Sequence, residues 1–268
     1  LRLHRKAERR YSMDAMGETQ LSIYRTVLRR AAQPRRRRNI ALLCGAYGRG
    51  NLGDDAIMES IVAQLRGIDP DLKIVVVSRN PRDTRRACRI NTVHTFSMLR
   101  QFFLLLRTRL YINGGGTLIQ DTTSTRSLMY YLTSIRIARL CGASVMLYGC
   151  GIGPVTRPRN RRIAGRVLNR CAHAVTLRDS VSLGELHSLG VTRPDIQLSA
   201  DPTITLPPAP DEAADTLFAE AGIPARDMIG FSVRSWKQED TRICEAVARA
   251  ADHAVRAHGL VPVFIPMT

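Results

Sequence analysis

The sequence predicts an α/β protein built on a doubly wound parallel sheet. Short apolar runs alternate with amphipathic segments of helical period, and three of the runs end in glycine-rich turns at 45–53, 114–116 and 149–153. An apolar run closed by glycine and followed by a helical pattern is typical of a buried parallel strand entering its next helix. Because parallel strands point the same way, we expect the three turns at one sheet edge, where open α/β sheets bind ligands.

The individual elements follow in order from residue 39. Strands are predicted at 39–44, 73–77, 110–113, 144–148, 174–177 and 196–199, and helices at 55–66, 96–107, 126–140, 160–171 and 180–189. In the first helix, Met58, Ile61, Val62 and Leu65 form one apolar face. Strands that alternate with helices through short connections favour a doubly wound sheet.

A proline cluster at 207–210 interrupts this alternation. Three prolines in four positions fit neither a helix interior nor a central strand. We therefore predict a basic N-terminal extension (1–38), an N-terminal Rossmann-like domain (39–205), and a linker with an incomplete C-terminal Rossmann-like domain (206–268). Helices at 211–221 and 241–258 and strands at 228–233 and 260–265 open the last domain, and a cleft is expected between the two domains. Since the chain starts at Leu1 and stops where a strand meets its loop, we expect a fragment of a longer protein.

The net charge of +17 arises from 40 basic and 23 acidic side chains, and only three of the basic residues are lysines. Arginine-biased coding would give this composition, and so would selection for an anionic partner. Residues 1–38 carry a net charge of +9 and the other 230 residues only +8. Most of the imbalance is thus predicted in the extension rather than in a groove of the folded body, and no nucleic-acid partner is expected. The extension fits a solvated leader and a segment lying on anionic lipid headgroups equally well.

The six cysteines form no CxxC pair, and several fall inside predicted elements, where cysteine acts as a small apolar residue. We expect reduced, structural cysteines in a cytoplasmic protein without a metal site. Cys150, in the third glycine turn, is either a small loop residue or a ligand contact. No apolar run reaches the length of a membrane span, and no signal peptide is visible.

The first glycine turn matches the spacing of a dinucleotide fingerprint, but Asp54 and Asp55 follow it at once. Two carboxylates would repel a pyrophosphate at that helix N-terminus. The pair either caps the helix or contacts substrate hydroxyls, with one carboxylate acting as a general base beside Asn51.

Three further positions carry candidate polar contacts at predicted strand ends or turns. Asp121, five residues after the second glycine turn, either caps a helix or bonds a sugar hydroxyl. Arg178 either pairs with Asp179 or binds a carboxylate or phosphate. Arg234 and Lys237 follow the first strand of the second domain, where they form either a surface loop or one wall of the predicted cleft.

Six motifs, in their order along the chain, resemble the polysaccharide pyruvyl transferases, specifically the CsaB type: GNLGDDA at 50–56, GGGTLIQD at 114–121, GCGIGP at 149–154, LRDSVS at 177–182, ADP at 200–202 and SVRSWK at 232–237. The resemblance runs from about residue 39 to the end. It implies a fold similar to two-domain GT-B glycosyltransferases. It also implies transfer of pyruvate from phosphoenolpyruvate onto a sugar, typically as a 4,6-ketal on a lipid-linked N-acetylmannosamine precursor of the bacterial cell wall. No metal or other cofactor is implied, and the place of action is the cytoplasm or the inner face of the cell membrane.

The chemistry of the implied reaction suits the candidate residues. Arg178, Arg234 and Lys237 would bind the carboxylate and phosphate of the donor. Asp54, Asp55 and Asp121 would bind or deprotonate the sugar hydroxyls, and the loops would contribute Asn51, Gly53, Gly115, Gly116, Gly151 and Gly153. The family's further basic residues and a histidine are expected beyond residue 268. Two alternatives stay open: a GT-B glycosyltransferase that uses a nucleotide sugar, and a non-catalytic fragment or scaffold in surface-polysaccharide assembly.

Overall fold

The chain folds into two compact units, Leu1–Leu206 and Pro207–Thr268, in a computed structural model that describes residues 18, 22, 25, 39–223, 227–233 and 240–266. Within its described part, the first unit contains a seven-stranded sheet. Its strands are β1 (Ile40–Cys44), β2 (Lys73–Ser78), β3 (Asn91–His94), β4 (Thr108–Gly114), β5 (Ser144–Cys150), β6 (Ala174–Leu177) and β7 (Asp195–Leu198). Its helices are α1 (Leu52–Ile68), α2 (Pro81–Cys88), α3 (Met98–Leu105), α4 (Thr125–Leu140), α5 (Pro158–Cys171) and α6 (Ser180–Ser188), followed by a 3-10 turn at Pro202–Thr205.

The strands are all parallel and are arranged in the order β3-β2-β1-β4-β5-β6-β7. Strands β2 and β3 are added in turn on one side of β1. The chain then crosses to the other side of β1, where β4 to β7 are added in turn. In register, Leu42 of β1 lies between Val75 of β2 and Tyr111 of β4. The predicted doubly wound parallel sheet is therefore confirmed, and its direction of winding switches between β1 and β4.

Alternate strand residues supply two buried apolar layers, one on each face of the sheet. Leu42 and Tyr111 belong to the layer that packs against helices α3 to α6, whereas Leu43 and Ile112 belong to the layer that packs against α1. The predicted apolar face of α1 is buried, with Ile61 and its neighbours at 3% exposure or less. Burying each such side chain contributes about 1.5–3 kcal/mol relative to exposure.

Helix α2 and strand β3 were not predicted from the sequence. Among the residues of α2 only Thr84 is buried, so the segment shows no apolar periodicity. Strand β3 buries only Val93 and lies at the edge of the sheet. Neither element has an apolar pattern that would predict it from the sequence, so the position of each depends on its contacts with neighbouring elements.

The 3-10 turn that ends the first unit is fixed to α1. Ser60 Oγ donates to the carbonyl oxygen of Pro202 at 2.6 Å, and Gln64 Nε2 donates to Thr205 Oγ1 at 2.7 Å. Tyr148 Oη, from β5, donates to Gln64 Oε1 at 2.6 Å. These bonds connect the last turn of the unit to the helix that follows the first glycine turn.

The second unit contains a β-α-β arrangement. Helix α7 (Asp211–Glu220) precedes β8 (Met228–Val233), α8 (Asp240–His258) and β9 (Val261–Pro266). Strands β8 and β9 are parallel, with Gly230 opposite Val263. The strand, helix and strand predicted for this part of the chain are present, at nearly the predicted bounds.

Candidate active site

The three glycine turns lie together at the carboxyl ends of β1, β4 and β5, as predicted. Strands β1 and β4 are neighbours, but α1 and α4, which follow them, lie on opposite faces of the sheet. The loops after β1 and β4 therefore diverge, and this is the point at which open α/β sheets form a ligand-binding crevice.

The first turn is organised by the side chains that follow it. Asn51 is the N-cap of α1, and its Oδ1 accepts from the Gly53 N–H at 3.1 Å. Its Nδ2 donates to Asp54 Oδ2 at 2.8 Å, and Asp55 Oδ1 accepts from the Gly48 N–H at 2.9 Å. Carboxylates near a helix N-terminus are favourable. In a dinucleotide site the amides of this turn bind the pyrophosphate. Here the Asp55 carboxylate already accepts from the Gly48 amide, so this turn differs from a dinucleotide site.

The second turn brings glycine backbone against α1. Gly115 and Gly116 have positive φ values of 72° and 62°. A Cβ on Gly115 would lie 2.2 Å from Cγ2 of Ile57, and a Cβ on Gly116 would lie 2.9 Å from Asp54 Oδ1. Only glycine permits this approach. The structure thus places Asp54 directly beside the second turn.

The third turn is hydrogen-bonded to the second. The Gly151 N–H donates to the carbonyl oxygen of Gly116 at 2.9 Å. A Cβ on Gly151 would lie 2.4 Å from Thr117 Oγ1 and 3.3 Å from Nε and Nη2 of Arg178. The hydrogen-bonded pair of Gly116 and Gly151 therefore has a carboxylate close to the first glycine and a guanidinium close to the second.

Gly153 has a packing role in the same turn. Its φ is 82°, and a Cβ there would lie 2.4 Å from Cγ of Glu185. Glu185 Oε1 accepts from the Val155 N–H at 3.1 Å and from Arg161 Nη1 at 2.8 Å. These contacts, which include a carboxylate on α6, fix the path of the third turn.

Arg178 extends from the end of β6 and makes three contacts at the same edge. Its Nη1 lies 3.3 Å from Asp201 Oδ2, its Nη2 donates to Thr117 Oγ1 at 3.3 Å, and its Nε lies 3.5 Å from Asp179 Oδ2. Burial alone would raise the pKa of Asp179, but hydrogen bonds from Ser182 and the charge of Arg178 lower it. The Arg178 side chain is held from several directions and is still 34% exposed. The contacts of Arg178 fit both of its predicted roles. It pairs with the Asp179 and Asp201 carboxylates, and the exposed part of its side chain is accessible to an anionic ligand.

Asp121 joins the second turn to the start of α5. The carboxylate is 6% exposed and accepts from the Thr156 and Arg157 N–H groups, from Thr156 Oγ1 and from Asn160 Nδ2, at 2.7 to 3.1 Å. Burial would raise the pKa of Asp121, but these hydrogen bonds outweigh it and lower the pKa to about 2. A buried carboxylate with these donors is poorly placed to take a proton from a sugar. Its hydrogen bonds fix the segment that leads into α5, because the donors are Thr156 and Arg157 before the helix and the Asn160 side chain in its first turn.

Other predicted residues lie apart from this cluster. Arg234 and Lys237 fall outside the described residues. Cys150 is buried, and burial raises the pKa of its thiol to about 12, so its contacts are those of a packing residue. Within the described ranges, no group of three or more His, Cys, Asp or Glu side chains is arranged to hold a metal ion.

Three polar residues at this edge were not predicted as site residues from the sequence. Thr117 and Asp201 hold the Arg178 guanidinium from two sides. Asn113, the penultimate residue of β4, is fully buried, and neither of its side-chain polar atoms has a hydrogen-bond partner among the described residues. The signal for Asn113 was present, because it is a polar residue in an otherwise apolar strand before the glycines.

Comparisons with known proteins match this architecture. Three solved structures of Anabaena Alr3699/HepE, in complex with UDP-glucose, with UDP and glucose, and with UDP, superpose with a TM-score of 0.50 at 12%, 11% and 10% identity. They cover 85%, 85% and 84% of this chain and 69%, 69% and 68% of their own. The fold class is thus α/β, with a doubly wound GT-B-like first unit and a smaller second α/β unit. No curated protein sequence matches.

The family model for polysaccharide pyruvyl transferase matches residues 51–267. The chain belongs to the polysaccharide pyruvyl transferase family. The matched range begins at Asn51, the N-cap of α1, near the end of the first glycine turn, and includes the whole of the second and third turns.

Proposed function

We propose that this chain transfers pyruvate from phosphoenolpyruvate to two hydroxyls of a saccharide and so forms a ketal. The observation that carries the proposal is the pair formed by Gly116 and Gly151, which are hydrogen-bonded at 2.9 Å. The Asp54 carboxylate lies close to Gly116, and the Arg178 guanidinium lies close to Gly151. A site of this kind offers an acceptor for hydroxyl protons next to a cation for an anionic donor.

The donor's chemistry matches an arginine at this position. Phosphoenolpyruvate carries a carboxylate and a phosphate, and a guanidinium binds either with two parallel hydrogen bonds. Thr117 and Asp201 hold the guanidinium in place before a ligand arrives. Such preorganised charge stabilises anions more than mobile side chains do. Arg234 and Lys237 remain predicted donor contacts.

The reaction proceeds by addition and then substitution at C2 of the donor. A proton adds to the methylene carbon, which becomes a methyl group, while C2 becomes oxocarbenium-like. One sugar hydroxyl bonds to C2 and loses its proton; the C2–O bond to phosphate then breaks, and phosphate leaves. The second hydroxyl bonds to C2 and loses its proton, which closes the ketal. We assign Asp54 to bind and deprotonate a hydroxyl, and we assign Asp55 and Asn51 to hold Asp54 and the first turn in position.

We further propose an acceptor of the CsaB type, a lipid-linked N-acetylmannosamine precursor, and a reaction at the cytoplasmic face of the membrane. A lipid-linked acceptor agrees with an arginine-rich protein that works close to anionic lipid. No further cofactor enters this scheme, because phosphoenolpyruvate supplies the transferred group and phosphate is the leaving group.

Donor binding tests the proposal through thermal unfolding with and without phosphoenolpyruvate. A ligand at a hundredfold excess over its Kd stabilises the folded state by about 2.7 kcal/mol. Arg178→Gln should abolish the donor-induced rise in Tm, whereas Arg249→Gln should leave it intact. Arg249 makes the matched control, because it is 74% exposed and loses the same charge.

A second measurement identifies the reaction. Incubation with phosphoenolpyruvate and an N-acetylmannosamine-bearing acceptor should release inorganic phosphate and add the mass of a pyruvyl ketal to the sugar. Stabilisation by UDP-glucose without any response to phosphoenolpyruvate would overturn the proposal in favour of a nucleotide-sugar transferase. A rise in Tm that persists in Arg178→Gln would remove Arg178 from the donor site.

A further inference from the structure

Helix α3 turns an apolar stripe outward. The side chains at 99, 102, 103 and 106 recur at the spacing of one helical face, and they are 75%, 45%, 62% and 42% exposed. The side chains at 101 and 105, which face the sheet, are only 6% and 4% exposed. A surface helix normally directs such a stripe at the core. Here the apolar stripe is formed by Leu99, Phe102, Phe103 and Leu106.

Neighbouring side chains enlarge the apolar surface. Phe96 and Met98, at the start of α3, are 65% and 53% exposed. Met98 and Phe102 also line a cavity of about 300 Å³ between α3 and α4, whose walls include Met129 and Ile137. A continuous apolar surface of this kind marks an interaction site in an otherwise polar exterior.

The charge around this surface has a single sign. Between residues 84 and 178 the chain has sixteen arginines and one acidic residue, Asp121, which is buried. Helices α3, α4 and α5 pack on the same face of the sheet and contain no Asp or Glu. The net charge of residues 39–268 is only +8, yet the arginines among them are concentrated on this face. Acidic residues elsewhere in the body offset these arginines in the total charge and conceal them.

Arginines border the apolar stripe itself. Arg100 is exposed and, at 100° per residue, lies on one side of the stripe, and Arg107, two residues beyond the end of α3, is exposed as well. Arg126, also exposed, lines the cavity between α3 and α4. The Arg79 guanidinium carbon lies 4.4 Å from the centre of the Phe96 ring. Arginine side chains thus lie next to the apolar stripe, at the neighbouring cavity and at Phe96.

We propose that this face binds an anionic lipid bilayer. The stripe enters the boundary between headgroups and acyl chains, and the bordering arginines contact lipid phosphates, as in helices that lie in the plane of a membrane. A bilayer fits better than nucleic acid, because bases could stack on the phenyl rings but offer no apolar surroundings for the leucyl side chains that protrude with them. The inference does not depend on the proposed reaction. No helix in the described part of the chain is long and apolar enough to cross a membrane.

Vesicle flotation tests this docking surface on the full chain. Vesicles of equal parts phosphatidylcholine and phosphatidylglycerol should carry the protein upward, and vesicles of phosphatidylcholine alone should carry much less. The double variant Leu99→Ser/Phe103→Ser should lower the partition coefficient by roughly tenfold or more, because two large apolar side chains no longer leave water. Leu217→Ser, at a leucine of 63% exposure in the second unit, is the matched control and should bind normally.

A charge variant gives an independent reading. Arg100→Glu/Arg107→Glu should weaken binding at low salt, and added salt should narrow its difference from the parent chain. Every variant keeps the basic extension 1–38, so a loss of binding reports on α3. Unchanged flotation of both double variants would overturn the proposal. Protection of a single-stranded RNA by the parent that Arg100→Glu/Arg107→Glu loses, without vesicle binding, would identify the face as a nucleic-acid surface instead.

Discussion

Replacing Asp121 by asparagine should destabilise the first unit and remove part of its acid sensitivity. The native carboxylate accepts four hydrogen bonds while buried, and its pKa falls from 3.8 to about 2. That shift corresponds to about 2 kcal/mol of stability at neutral pH. In Asp121→Asn the amide nitrogen also faces N–H donors, which adds about 1 kcal/mol of lost hydrogen bonding. We expect a total loss of roughly 2–3 kcal/mol.

The pH dependence follows from the direction of the shift. Because the folded pKa of Asp121 is depressed, its contribution is fully present above the unfolded value of 3.8 and is lost as the pH falls toward about 2. The difference in stability between parent and Asp121→Asn should therefore be constant near neutrality and shrink below about pH 4.

Hydrogen exchange measured by mass spectrometry on peptides from β5 gives the free energy of opening of this sheet, separately from the second unit. Asp71→Asn is the matched control, since this carboxylate lies in the same unit and is exposed. Two results would contradict this expectation. One is a free energy of opening for Asp121→Asn equal to that of the parent, and the other is a difference in this free energy that stays the same in acid.

Two other substitutions probe the same edge. Gly116→Ala should lower stability by about 1–2 kcal/mol and weaken acceptor binding, because the residue has φ 62° and its Cβ would lie 2.9 Å from Asp54 Oδ1; urea denaturation and acceptor titration measure the two effects, and a fully stable variant would contradict the argument. Asn113→Val should raise stability by about 1 kcal/mol, because it removes two buried polar atoms that lack partners in the described structure. A lower urea midpoint for Asn113→Val would show that the amide is hydrogen-bonded in solution.

The proposed membrane surface starts at the same edge of the sheet as the candidate site. Helix α3 follows β3, so it begins at the edge of the sheet where the glycine turns also lie. A bilayer bound along α3 would bring lipid-linked molecules to that edge. The two proposals can fail separately, because vesicle flotation reports on α3 and donor-induced stabilisation reports on Arg178.

The sequence alone predicted the sheet, the common edge of the three turns and the family resemblance. Those features arise from local rules: buried parallel strands read as apolar runs, and close backbone approaches require glycine. The same rules failed at α2 and β3, whose side chains are mostly polar and whose positions depend on neighbouring strands.

Only the tertiary structure decided what the polar residues contact. Asp54 and Asp121 both follow glycine turns and look equivalent in sequence, yet Asp54 lies against Gly116 while Asp121 is enclosed by donors from the start of α5. Likewise, the outward stripe on α3 has the periodicity of a core-facing helix. Periodicity gives the angular spacing of side chains but not the direction in which the packed sheet lies, so exposure of that stripe is a property of the fold alone.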